Sequence, residues 1–74
     1  MASPDKLVRM ANQIGKFFIA QPGETATRDI ANHLRRFWDP RMRAAIVTYL
    51  DAGGAGLDPL VRDAVEQLKH PPGP

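Results

Sequence analysis

Apolar residues recur in three segments of the chain at the three-and-four spacing that places them on one face of a helix. They are Leu7, Met10, Ala11, Ile14, Phe17 and Phe18, then Ile30, Ala31, Leu34, Phe37 and Trp38, and finally Leu60, Val61, Ala64, Val65 and Leu68. No stretch shows the strict alternation that is typical of a half-buried strand. The pattern therefore predicts an all-α fold, a small bundle of helices.

Proline pairs mark where three of these helices begin. Ser3-Pro4, Asp39-Pro40 and Asp58-Pro59 each place a capping side chain before a proline. The Ser or Asp oxygen can accept a free N–H of the first turn, and proline suits the first helical position. Thr25 is the corresponding cap for the remaining helix.

Breaker residues set the other helix ends. Gln21-Pro22-Gly23 ends the first helix, and Gly53-Gly54 ends the third. The predicted helices span about 4–20, 26–38, 40–52 and 59–69. Residues 1–70 form a single helical domain, and 71–74 form a frayed Pro/Gly tail.

The third helix differs from the others because it is apolar nearly all round. Between Met42 and Leu50 only Arg43 and Thr48 are clearly polar. Such a helix favours burial on every side. Either it is the central helix of the bundle, or a second protein covers part of it.

The composition restricts the classes of protein. The 74 residues include no Cys and carry a net charge of +2, so no disulfide or thiolate metal site is expected, and neither nucleic acid nor a membrane is required. No apolar run reaches bilayer length, and polar residues interrupt the N-terminal segment where a signal peptide needs an apolar core. We expect the chain alone to be only marginally stable, because a short chain buries little surface.

Four arginines surround the junction between the second and third helices. Arg35 and Arg36 lie in a last turn, where the helix dipole favours cations, whereas Arg41 and Arg43 lie in a first turn, where it disfavours them. Asp39 offsets that cost locally, or an acidic partner does so.

The same segment contains residue types that are enriched at interface hot spots. The candidate partner-binding residues are Arg35, Phe37, Trp38, Arg41 and Arg43. Two interpretations of Trp38 stay open: a rigid turn presents its ring to a partner, or the ring belongs to the core.

The residue inventory argues against catalysis. His33 is the one histidine within the predicted helices, and the Ser and Thr hydroxyls have no evident His–acid partners. The loop Gly53–Gly56 lacks the Lys-Ser/Thr and the preceding strand of a phosphate-binding loop. We therefore predict no catalytic, cofactor or metal residue in this chain.

Three stretches resemble the delta subunit of NAD-dependent formate dehydrogenase. They are Lys6–Phe18, Ile30–Arg43 and Leu57–Val61, and the likeness extends over about residues 6 to 68. Its most specific part is Phe37-Trp38-Asp39-Pro40-Arg41-Met42-Arg43.

The resemblance implies a non-catalytic accessory subunit that binds the larger catalytic subunits of a cytoplasmic enzyme complex. That complex is expected to carry a molybdenum or tungsten pterin, iron–sulfur clusters, FMN and NAD on other subunits. Two alternatives remain open: a transient assembly factor for the same enzyme, and a helix-turn-helix DNA-binding module. The apolar third helix disfavours the DNA-binding module, since a recognition helix needs polar side chains to contact base edges.

Overall fold

The described part of the chain is all-α, as predicted. A computed structural model describes residues 4–20 and 25–69. Its helices are α1 (Pro4–Ile19), α2 (Ala26–Phe37), α3 (Pro40–Asp51) and α4 (Pro59–Leu68). Each predicted helix is present, and each ends one residue earlier than predicted. The Ser3 cap, the breaker Gln21-Pro22-Gly23 and the tail 71–74 lie outside the described residues.

Among the described residues, the predicted caps Thr25, Asp39 and Asp58 lie at the helix starts, and Asp39 alone caps through its side chain. The Asp39 carboxylate accepts a 2.9 Å hydrogen bond from the backbone N–H of Met42. Asp58 makes no side-chain cap bond. The Thr25 hydroxyl donates instead to the Asp29 carboxylate, at 2.8 Å. Asp39 therefore stabilises the start of α3 in the way the Asp-Pro pattern predicts.

All four helices contribute to one core. The most extensive helix contact joins α2 to α4, while α1 packs on α2 and α3 packs across α4 and α1. The buried apolar residues are Leu7, Val8, Ala11, Ile30, Ala31, Leu34, Trp38, Ile46, Leu57, Val61, Ala64 and Val65.

The predicted inward face of α1 was wrong in part. The structure buries Val8 and Gly15, and it leaves Met10 and Phe17 exposed. Gly15 lies against Val61 of α4. Because Gly15 has no side chain, α1 turns this position toward the core, and the apolar residues at Met10 and Phe17 rotate outward.

The interpretation of α3 as a central helix was also wrong. Ile46 is its only buried residue, whereas Ala44, Ala45 and Thr48 are exposed. These three side chains are small, so their exposure leaves little apolar surface in water. The large exposed apolar side chains lie on α1 and α2 instead: Met10, Phe17, Ile19 and Phe37.

The α3–α4 loop is a glycine turn, as predicted, and it is fixed by side chains from α1, α3 and α4, with Arg62 of α4 donating to the carbonyls of Gly53 and Gly54. Gly54 has a φ of +64°. The Tyr49 hydroxyl donates to the carbonyl of Ala55 at 2.5 Å. From α1, Asn12 reaches the same loop with both ends of its amide. Its Nδ2 donates to the carbonyl of Gly56 at 2.8 Å, and its Oδ1 accepts from the N–H of Asp58 at 3.0 Å.

An ion pair joins the C-terminal ends of α3 and α4. The Lys69 ammonium contacts the carboxylate of Asp51, and it lies 3.2 Å from that of Glu66. The hydrogen bond to Asp51, and then that to Glu66, raises the pKa of Lys69 above its usual value. The side chains of Asp51 and Glu66 are exposed, so the ion pair adds little to stability.

Candidate partner-binding surface

The two aromatic residues at the end of α2 differ in exposure. Trp38 is 5% exposed and belongs to the core, whereas Phe37 is 69% exposed. The interpretation that a rigid turn presents the Trp38 ring to a partner was therefore wrong. Trp38 ends the helix in an extended conformation with a ψ of 138°, and its indole packs in the core while Phe37 remains at the surface.

Two of the predicted partner-binding arginines cap neighbouring helices. The Nη2 atom of Arg35 donates to the carbonyl of Gln67 in the last turn of α4, at 2.7 Å. The Nη1 atom of Arg43 donates to the carbonyl of Arg35 in the last turn of α2, at 3.0 Å. The last four carbonyls of a helix lack partners within it. Arg35 and Arg43 thus satisfy such carbonyls, and the helix dipole favours their charge there.

This arrangement explains why Arg43 lies in the first turn of α3. Its guanidinium is half-buried at the negative end of α2, which offsets the unfavourable position on its own helix. Arg41, two residues earlier, is exposed. Of the five predicted partner-binding residues, only Phe37 and Arg41 thus present exposed side chains.

A row of rings extends from α1 to α2, and the sequence pattern did not predict it. The rings of Phe17 and Phe18 meet edge to face with centroids 5.2 Å apart. The Phe18 centroid lies 5.9 Å from that of His33, which lies 4.6 Å from that of Phe37. We call these four residues the aromatic surface. Its two ends are the most exposed, with Phe17 at 63% and Phe37 at 69%.

A shallow cleft runs along the aromatic surface. Its lining combines rings with polar side chains of α2: Phe18, Asp29, Asn32, His33, Arg36 and Phe37. The cleft therefore offers apolar contact together with hydrogen-bond donors and acceptors. This mixed character is typical of a protein-binding site.

The positive charge of the molecule is concentrated on the two helices that form the aromatic surface. Together α1 and α2 hold six cationic and two anionic side chains, whereas α3 and α4 hold three of each. The α1–α2 half thus carries a net charge of +4 from its helices. An acidic surface would be attracted to this side of the molecule.

Within residues 4–20 and 25–69, no three His, Cys, Asp or Glu side chains come together as a metal site would require. None of the helices in these ranges is both long enough and apolar enough to cross a bilayer.

Comparison with known proteins gives one family. The sequence model of the family described as NADH-dependent formate dehydrogenase delta subunit (FdsD) matches residues 6–65. No curated protein and no solved structure matched the chain. The matched range contains all of α2 and α3, together with most of α1 and α4. It confirms the resemblance that Lys6–Phe18 and Ile30–Arg43 indicated.

Proposed function

We infer that this chain, which belongs to the family of delta subunits of NADH-dependent formate dehydrogenase, is a non-catalytic accessory subunit that binds and supports that enzyme complex. The observation that carries the proposal is the family match over most of the chain. The absence of Cys from the sequence supports the assignment of the iron–sulfur clusters to other subunits, because thiolates are the usual ligands of such clusters.

We assign the chemistry of the complex to its other subunits. They would carry the molybdenum or tungsten pterin, the iron–sulfur clusters and FMN, and they would reduce NAD in the cytoplasm. The contribution of this chain would be a binding surface that holds the larger subunits in their active arrangement.

We place the partner contact at the end of α2 and the start of α3, in a form revised from the sequence-based prediction. Phe37 and Arg41 are exposed and would touch the partner. Trp38 would support them from the core, while Arg35 and Arg43 fix the neighbouring helix ends.

A reconstitution experiment tests the proposal. We expect the purified chain alone to show no formate-dependent reduction of NAD. Formate dehydrogenase produced without this chain should lose activity or yield, and adding the purified chain should restore it. Two results would contradict the proposal: formate oxidation by the chain alone, or a complex whose activity and yield do not change when the chain is added.

The two alternatives make different predictions. A transient assembly factor would restore activity and then leave the mature complex. A DNA-binding module would bind duplex DNA with an affinity that falls steeply with salt. The DNA-binding module has little support from α3, because beyond Arg41 its exposed side chains include Ala44 and Ala45, which have no hydrogen-bonding group for base edges.

A further inference from the structure

We propose that the aromatic surface, Phe17, Phe18, His33 and Phe37, is the docking site for a larger subunit of formate dehydrogenase. The partner region would be apolar at its centre and acidic at its rim. The inference rests on the proposed function and specifies the part of this chain that carries it.

The first argument is the exposure of the rings. Phe17 and Phe37 are 63% and 69% exposed, while the larger ring of Trp38 is buried. Aromatic residues are enriched at protein interfaces relative to the rest of a protein surface. Because the two exposed rings lie on different helices yet belong to one row, a single partner surface would cover both.

The second argument is that the rings are already ordered. Edge-to-face contact joins Phe17 to Phe18, and Phe18 in turn lies against His33, which contacts Phe37. Such contacts are favourable for aromatic rings. Rings that are held in position lose little side-chain freedom when a partner binds. The aromatic surface is therefore prearranged for contact.

The third argument is charge, and it determines the chemistry of the partner. The two helices of the aromatic surface carry a net charge of +4, and Arg36 lines the cleft itself. A second copy of the chain would bring these cations against one another. A partner with carboxylates around an apolar centre would complement both the charge and the rings.

The polar lining of the cleft favours a protein over an anionic lipid or a nucleic acid. Asp29 and Asn32 lie beside Arg36. A protein surface can place a hydrogen-bond donor opposite Asp29 and a carboxylate opposite Arg36, whereas the uniformly anionic phosphates of a lipid surface or a nucleic acid would be repelled by Asp29. The mixture of rings, amide, carboxylate and guanidinium thus fits a protein.

The test measures the affinity of the full chain for formate dehydrogenase complex purified without it, by isothermal titration calorimetry. The variant with both Phe17→Ser and Phe37→Ser should bind about 30-fold more weakly or worse, as expected for hot-spot residues. The variant with both Phe17→Leu and Phe37→Leu should retain most of the affinity, because it keeps apolar side chains at both positions.

Two charge variants complete the design. Arg36→Ala should weaken binding and reduce its dependence on salt, since exposed charge pairs are screened. Asp63→Ala is the matched control. Asp63 is exposed on α4, outside the aromatic surface, so this variant should bind like the wild type. Circular dichroism melting of every variant should show an unchanged fold, because the substituted side chains are mostly exposed.

The outcomes separate the inference from the proposed function. If the wild type binds and the Phe17→Ser/Phe37→Ser variant binds equally well, the inference is overturned and the proposed function stands. If the wild type does not bind at all, both fail. A different result is that the Phe17→Ser/Phe37→Ser variant loses binding to phosphatidylglycerol vesicles, to single-stranded DNA or to a second copy of the chain while it still binds the complex. That result would assign the aromatic surface to the other ligand and would also overturn the inference.

Discussion

Gly15 of α1 lies so close to Val61 of α4 that a Cβ atom at position 15 would come within 2.5 Å of the Val61 Cγ2 atom. Val61 is fully buried, so it has little room to move. In the wild-type chain, where Val61 is present, Gly15→Ala should lower the free energy of unfolding. The overlap costs about 1–3 kcal/mol, against a gain of up to about 1 kcal/mol in helix propensity.

The same substitution should behave differently once Val61 is shortened. In a Val61→Ala background the overlap is gone, so Gly15→Ala should be neutral or stabilising through helix propensity alone. Urea unfolding of the wild type, the two single variants and the double variant measures how far the effect of Gly15→Ala depends on Val61. Equal effects of Gly15→Ala in both backgrounds would show that α1 and α4 are not in close contact at this point.

Trp38 and Phe37 are neighbours in the chain, but truncating Trp38 should lower stability far more than truncating Phe37. Trp38→Ala removes a core ring and should cost about 3–5 kcal/mol of stability, which a chain of this size cannot easily tolerate. Phe37→Ala removes a largely exposed ring and should change stability by less than about 0.5 kcal/mol. Thermal unfolding checks both. A stable Trp38→Ala variant would mean that the ring is not part of the core.

Arg43 and Arg41 form a second matched pair. Arg43→Ala loses the hydrogen bond to the carbonyl of Arg35 and should cost about 1.5–3 kcal/mol, as for a bond made by a charged donor. Arg41→Ala alters an exposed side chain and should leave stability unchanged within about 0.5 kcal/mol. Urea unfolding is again the measurement, and equal losses for the two variants would contradict the assignment of Arg43 as the α2 cap.

Asn12 should be required for the α3–α4 loop. Asn12→Ala removes the bonds to Gly56 and Asp58 and should cost about 1–3 kcal/mol. The amide hydrogen of Asp58 should exchange faster in this variant. Asn12→Asp keeps the oxygen that accepts from the Asp58 N–H but loses the N–H that donates to Gly56. The Asp58 N–H should therefore stay protected from exchange, while the free energy of unfolding still falls in part. Unchanged exchange of the Asp58 backbone N–H in Asn12→Ala would show that Asn12 does not hold the α3–α4 loop.

The start of α3 at Asp39-Pro40 was predictable because the capping residue and the N–H that it binds are three positions apart. The roles of Arg35 and Asn12 were not, because their partners Gln67 and Gly56 lie far along the chain. Such pairs form only once the helices have packed, so no local pattern indicates them.

The sequence pattern could not predict the aromatic surface, for a related reason. The spacing of Phe17 and Phe37 fits an inward helix face as well as an outward one, and the rotation of α1 is decided by how closely Gly15 approaches α4. Only the relative positions of α1 and α2 bring His33 between Phe18 and Phe37.

The most direct test of the central claim is native mass spectrometry of formate dehydrogenase purified from its own organism through a tag on a catalytic subunit. The account predicts that this chain is present in stoichiometric amount in the mature, active complex. Its absence from that complex, with full activity retained, would contradict the assignment of an accessory subunit.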